Sequence, residues 1–183
     1  MVLDVELILG RYFSGAGLEM IMTHGRVVAE LAMAVGQGLG LPGDELLFLQ
    51  QAAMLHDVGV CRVNAPGIGM HGEAPYIAHG IIGRDILEEE GLPQHAMVCE
   101  RHIGVGLSLA DIVSQGLPLP LRDMSPRSQC EEIICYADLF FSKTPGKLTH
   151  RKSAERVREK LAGFGGDKVR IFDAWQQRFG VVA

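Results

Sequence analysis

Apolar residues recur at three- and four-residue steps along most of this chain, the period of a helix with one face turned to a core. Met22, Val27, Leu31, Ala34 and Val35 keep that spacing and predict a helix from Leu18 to about Gln37, closed by Gly36, Gly38 and Gly40. Leu41-Pro42-Gly43-Asp44 opens a second, with Leu46, Leu49, Ala53 and Leu55 on one side, running into His56-Asp57. From Gly59 to Pro75 the pattern breaks, and Pro66, Gly67, Gly69, Gly72 and Pro75 predict a loop. A helix follows from Tyr76 to Glu90 on Ile77, Ile81, Ile82, Ile86 and Leu87, ending at Gly91-Leu92-Pro93. Shorter helices are predicted at about Gln94 to His102 and Ser108 to Val113. Pro118 and Pro120 mark a second loop up to Pro126. The stretch Ser128 to Ser142 carries the clearest helical pattern, with Ile133, Ile134, Ala137, Phe140 and Phe141 in step. Amphipathic stretches at Lys152–Phe164 and Lys168–Phe179 finish the chain. With no alternating strand, internal repeat or interdomain linker, the expectation is an all-α, single-domain helical bundle over residues 1–183. Its metal-binding core would span about 18–142, followed by C-terminal helices within 151–180.

Composition narrows the classes. At 183 residues the chain can bury a real core, and 48% hydrophobic with 21% charged residues is a globular balance. A net charge of −5 offers no general attraction for a nucleic-acid polymer or an anionic membrane. No apolar run approaches the roughly 20 residues of a membrane span. Asp4 and Glu6 stand where a signal peptide would carry basic residues, so a cytoplasmic location is expected. Cys61, Cys99, Cys130 and Cys135 form no C-x-x-C pair or disulfide framework and read as reduced thiols, mostly filling the core.

The chemistry concentrates in Leu55-His56-Asp57-Val58-Gly59. An imidazole beside a carboxylate places a nitrogen and an oxygen ligand at one point of the backbone, a mixed pair suited to a divalent transition metal. The dipeptide alone is weak, but His24 precedes it and His79, His102 and Asp138 follow, each in an apolar helical context. Together the six residues suffice for two metals. Each has a bland alternative: a lone His on an apolar helix is more often a hydrogen-bonded core residue, and Asp138 between Ala137 and Leu139 is equally able to hold backbone or an arginine. His71, His95 and His150 fit no ligand pattern. The joint occurrence favours the metal.

The pattern His24 … His56-Asp57-Val58-Gly59 … Asp138 resembles the HD-domain superfamily of metal-dependent phosphohydrolases, and more narrowly its HDIG-type branch. The resemblance runs from about Leu18 to Phe141 and implies an HD-type helical bundle. Tyr76-Ile77-Ala78-His79-Gly80-Ile81-Ile82-Gly83 and Glu100-Arg101-His102-Ile103-Gly104 are similar to the segments that supply further histidines in dinuclear members. Mononuclear members need only the equivalents of His24, His56, Asp57 and Asp138, so His79 and His102 imply a second ion. The chain departs from the HD-GYP cyclic-dinucleotide phosphodiesterases. Val60 stands where those carry Lys, Arg101 precedes a single His102, and Gly104-Val105-Gly106 replaces the Gly-Tyr-Pro signature.

That resemblance implies two divalent ions (iron, manganese, nickel or zinc) that activate a water against a phosphate mono- or diester. Asp57 is the expected bridge and catalytic residue, because a carboxylate spans two cations where a neutral imidazole cannot. His24, His56 and Asp138 would complete one ion's shell, and His79 with His102 the other's. Lys143, a turn beyond Asp138, is the leading candidate to bind the anion of a small phosphorylated substrate; Arg101 and Arg127 are weaker ones. Each of the three has the alternative of a solvated surface cation. Two rival functions stay open: an HD-fold di-iron oxygenase, which uses the same ligand types, and a regulatory or ligand-binding module that keeps its metal without turnover. The loops at 62–75 and 116–126 carry no readable substrate code, and no signal fixes an oligomeric state.

Overall fold

Short oxygen-bearing side chains start several of the helices. Asp4, Ser108, Ser128 and Ser153 each accept the backbone N–H three residues on, at 2.9, 3.1, 3.2 and 3.3 Å, and so satisfy a donor that the first turn leaves open. In the computed structural model, which describes residues 3–180, the apolar periodicity then gives nine α-helices among the described residues. They are α1 (Val5–Tyr12), α2 (Gly15–Gly38), α3 (Gly43–Leu55), α4 (His79–Glu89), α5 (Pro93–Arg101), α6 (Leu109–Ser114), α7 (Gln129–Leu139), α8 (Ala154–Ala162) and α9 (Gly166–Phe179). The fold is the expected all-α helical bundle.

Three details differ from the sequence pattern. Helix α1 was not signalled; only Ile8 and Leu9 of its eight residues are buried, too few to show a period. The segment expected as plain loop holds a 3₁₀ turn at Val58–Arg62 and a two-residue antiparallel hairpin, β1 (Asn64–Ala65) with β2 (Met70–His71). Helix α7 stops at Leu139 rather than Ser142, and the Lys152 ammonium satisfies the carbonyls of Leu139 and Phe141 there at 2.7 and 2.6 Å.

Two adjoining apolar clusters hold the bundle. One joins α2, α3, α7, α8 and α9 around Tyr136, Phe140, Phe172, Trp175 and Phe179. The other joins α1, the first half of α2, the 58–63 turn, α4 and α5 around Leu9, Ile21, Leu55, Val58, Ile86 and Leu87. Helix α4 lies close on α5: a Cβ on Gly80 would come within 2.8 Å of the Cys99 carbonyl oxygen. Beside that contact the buried Glu100 takes charge-assisted bonds from Arg84 and Arg122 at 2.6 and 2.5 Å, tying α4 and the segment before α7 to α5. No helix among the described residues is long and apolar enough to cross a membrane.

Candidate metal centre

Helix ends aim the ligands. His56 follows the last residue of α3, His102 follows α5, and His79 joins the 3₁₀ turn Tyr76–Ala78 to α4. At each of these places the imidazole bends back onto the carbonyl three residues earlier. Nδ1 lies 2.6 Å from Ala53 O in His56, 2.6 Å from Tyr76 O in His79 and 2.8 Å from Cys99 O in His102. A carbonyl only accepts, so each Nδ1 carries a proton, and each Nε2 presents a lone pair to the interior whenever its imidazole is neutral. Such a backbone anchor fixes tautomer and ring angle in metal-ligating histidines. His24 comes from the middle of α2 and Asp138 from the last turn of α7.

These side chains meet around Asp57, whose two oxygens face different neighbours. Oδ2 lies 2.9 Å from His56 Nε2 and 3.2 Å from His24 Nε2. Oδ1 lies 3.4 Å from both His79 Nε2 and His102 Nε2. Asp138 Oδ1 joins the first set at 3.0 Å from His24 and 3.5 Å from His56. All six sequence-predicted ligands are therefore brought together, as one group of His24, His56, Asp57 and Asp138 and another of Asp57, His79 and His102.

The donor set fits divalent cations. His56 Nε2 and Asp57 Oδ1 are buried without a well-formed hydrogen bond, a costly arrangement unless something else satisfies them. His79 and His102 bring their Nε2 atoms within 3.1 Å of one another although both protons sit on Nδ1. Two lone pairs face each other there, and a shared cation turns that repulsion into ligation. Four imidazoles and carboxylate oxygens suit iron, manganese, nickel or zinc.

Charge organises the cluster further. The Lys143 ammonium lies 2.5 Å from Asp57 Oδ2 and 3.3 Å from His24 Nε2. Burial works against charge on His56, but Asp57 and Asp138 override it and push the imidazole up to about 10. Burial brings His79 down to about 4, despite the pull of Asp57. Burial would raise the carboxyls of Asp57 and Asp138, yet His56 and Lys143 hold both well below the usual range. Lys143 is opposed by burial but raised above its ordinary value by the same two carboxylates.

The centre opens on one side. Asp57 is 1% exposed, whereas the Asp138 side chain is 19% exposed toward a cavity of about 500 Å³. His79, His102, Asp138 and Lys143 form its inner end, and residues from α8 and the α8–α9 turn its outer wall. Arg101 and Arg127 do not line it. The Arg101 guanidinium pairs with Glu131 at 3.0 Å, and Arg127 is exposed with its backbone N–H on the same carboxylate at 2.7 Å. Sequence reasoning passed over Tyr76, which lines the cavity with its ring centroid 4.8 Å from that of His79. Its place three residues before His79 was the available signal. His95 packs on Phe48 with ring centroids 4.9 Å apart, and His71 and His150 are exposed, so none of the three joins the centre. All four cysteines are free thiols, and Cys99, Cys130 and Cys135 are buried.

Known proteins resemble this chain, some in sequence and some in fold. The chain is 31% identical over 123 residues to an uncharacterised protein of Methanocaldococcus jannaschii, covering 66% of this chain and 65% of that one. It is 28% and 29% identical over 125 residues to tRNA (cytidine(56)-2'-O)-methyltransferases of Thermoplasma volcanium and Picrophilus torridus. Those matches cover 68% of this chain but only 32% of either methyltransferase. Among solved structures it is similar to the HD domain of the L. monocytogenes phosphodiesterase PgpH, with a TM-score of 0.58 at 18% identity over 96% of this chain and 92% of that one. The same domain in complex with cyclic-di-AMP gives a TM-score of 0.55 at 16% identity, over 91% of each chain. The HD domain model matches residues 21–141, which run from the helix bearing His24 to just past Asp138, and the chain belongs to the HD domain family.

Proposed function

We propose that this protein is a metal-dependent phosphohydrolase acting on a phosphate mono- or diester. The observation that carries the reading is the division of one carboxylate: Asp57 turns Oδ2 to His24 and His56 and Oδ1 to His79 and His102. In this reading His24, His56, Asp57 and Asp138 hold one ion, and Asp57, His79 and His102 hold the second. Such a pair supplies an activated water and a clamp on phosphoryl oxygens. Asp57 is the shared ligand and the catalytic residue. Lys143 stands at the cavity end of the cluster, placed to give the substrate phosphate a charge-assisted hydrogen bond. Arg101 and Arg127 have no part in it, being turned to Glu131 and to the surface. The cavity is the size of a small-molecule site, which supports a small phosphorylated substrate over a nucleic-acid polymer. The fold neighbour solved with cyclic-di-AMP supports the same class. Methyl transfer is not proposed, since the matched segment is a third of those relatives.

The test is metal analysis of protein purified without chelator, followed by a phosphatase and phosphodiesterase panel with manganese, nickel, iron and zinc. Two equivalents of metal and turnover of a phosphate ester are expected. Asp57→Ala should abolish both and keep the helical circular-dichroism spectrum. Wild-type metal content in that variant would place the metal elsewhere and end the reading; a mixed-valence iron signal without ester turnover would select the oxygenase.

A further inference from the structure

The cavity beyond the cluster has an uneven distribution of chemistry. Its outer walls are Ile77, Val105, Leu107, Leu117, Leu161 and Phe164, contributed by segments far apart in the chain. Neutral polar side chains are sparse: Tyr76 and Ser142 stand at the inner end with Lys143, and Gln115 is exposed at the rim. The backbone along one wall is already committed, with Leu107 and Met124 exchanging bonds at 3.3 and 2.8 Å and Gly106 N–H on Ile103 O at 2.9 Å. Lysines line the cavity too, but most are engaged. Lys152 donates to two carbonyls at the end of α7, the buried Lys168 is paired with Asp111, and Lys143 faces Asp57. Lys160 projects to solvent from α8.

We infer that the site takes a phosphate ester whose organic part is an apolar alkyl or aryl group, seated against these walls with its phosphoryl end at the histidine cluster. The inference rests on the hydrolase reading for the position of the phosphoryl end, and on the walls for the rest. A nucleoside entering the same space would surrender the water bound to its sugar hydroxyls and base edges and find few partners, a cost that buried donors and acceptors do not recover. An alkyl chain loses nothing of the kind. Each methylene it buries contributes about 0.8 kcal/mol, or about fourfold in affinity, and imperfect fit reduces that to about twofold. Phe164, 60% exposed at the mouth, is then a wall of the site rather than a stray surface residue.

The measurement is calorimetric binding of n-alkylphosphonates, methyl to octyl, to the manganese-loaded protein, with a phosphonate analogue of adenosine monophosphate alongside. Affinity should rise about two- to fourfold per methylene, so that octylphosphonate binds at least about a hundredfold more tightly than methylphosphonate and outcompetes the nucleoside compound. Phe164→Ser, at an exposed position, should flatten the series while melting temperature stays near wild type. A flat series in the wild-type protein, no phosphonate binding at any length, or a nucleoside phosphonate bound more tightly than the octyl compound would overturn the inference. Turnover of p-nitrophenyl phosphate, measured separately, reads the hydrolase assignment. A flat series in an active hydrolase removes the apolar-ester assignment alone, and a steep series in a protein that cleaves no ester removes the hydrolase assignment alone.

Discussion

Replacing Gly59 with alanine should damage the second metal position through backbone displacement, without touching a ligand. Gly59 lies two residues after Asp57, and there the 58–62 turn meets the start of α4. A Cβ on it would stand 2.0 Å from the His79 carbonyl oxygen and 2.4 Å from Gly83 N, both backbone atoms that no rotamer change can move. Ordinary contact needs about 3.4 Å or more, so the turn and α4 must part by about 1–1.5 Å. Asp57 and His79 ride on the two parting segments, and metal–ligand distances tolerate only about 0.2 Å. Overpacking a well-filled interior costs about 1–3 kcal/mol, and backbone on both sides puts this case at about 3. For a chain of this length that lowers the melting temperature by about 6–12 °C. Calorimetry should be run with chelator present, so that loss of bound metal does not add to the shift. Metal analysis of the untreated variant should then show about one equivalent where two are expected of the wild type. A variant that melts within a degree or two of wild type and still binds two ions would refute the close-approach argument.

Replacing His79 and His102 together with alanine should lower metal stoichiometry from two toward one and leave the His24, His56, Asp57 and Asp138 position loaded; unchanged stoichiometry would make them core histidines. Lys143→Ala should cut kcat/KM for a phosphate ester by about one to two orders of magnitude without loss of metal, because the bond it offers is a charge-assisted one of about 1.5–3 kcal/mol. An unaltered rate would return Lys143 to a structural role beside Asp57. Metal affinity should rise with pH. In the metal-free protein the raised His56 contributes stability that is fully present below about 6.5 and lost as pH climbs through about 10. An ion needs that imidazole neutral, so chelator competition between pH 7 and 9 should show about a tenfold gain in apparent affinity per unit. His79, near 4, and the two carboxylates, lower still, add no proton in that window, and a flat profile would contradict the assignment.

The residues gathered at the inner end of the candidate site were legible in the sequence, and those of its outer end were not, for a physical reason. Ligation demands particular atoms. His24, His56, Asp57, His79, His102 and Asp138 stand out because imidazoles and carboxylates on buried helix faces are costly singly and here recur together, and the glycine two residues beyond Asp57 marks the close approach that brings His79 in. Lys143 was legible through its nearness to Asp138 in sequence, although it lies in the loop beyond α7 and not on a further turn of it. Helix α1 and the 64–71 hairpin escaped because two buried residues in one case and two-residue strands in the other are too short to show a period. Arg101 looked available beside His102, and only the fold reveals Glu131 within reach of it. The cavity wall is hidden more deeply. Ile77, Leu107, Leu117, Leu161 and Phe164 come from segments as far apart as 87 residues, and a wall asks of each only that it be apolar. In one dimension such a residue cannot be told from core. What separates the two is whether the space in front of the side chain is filled by protein or left for a ligand, and that property belongs to the packing of α8 and the segments flanking α6 beyond the histidine cluster, not to any local stretch of sequence.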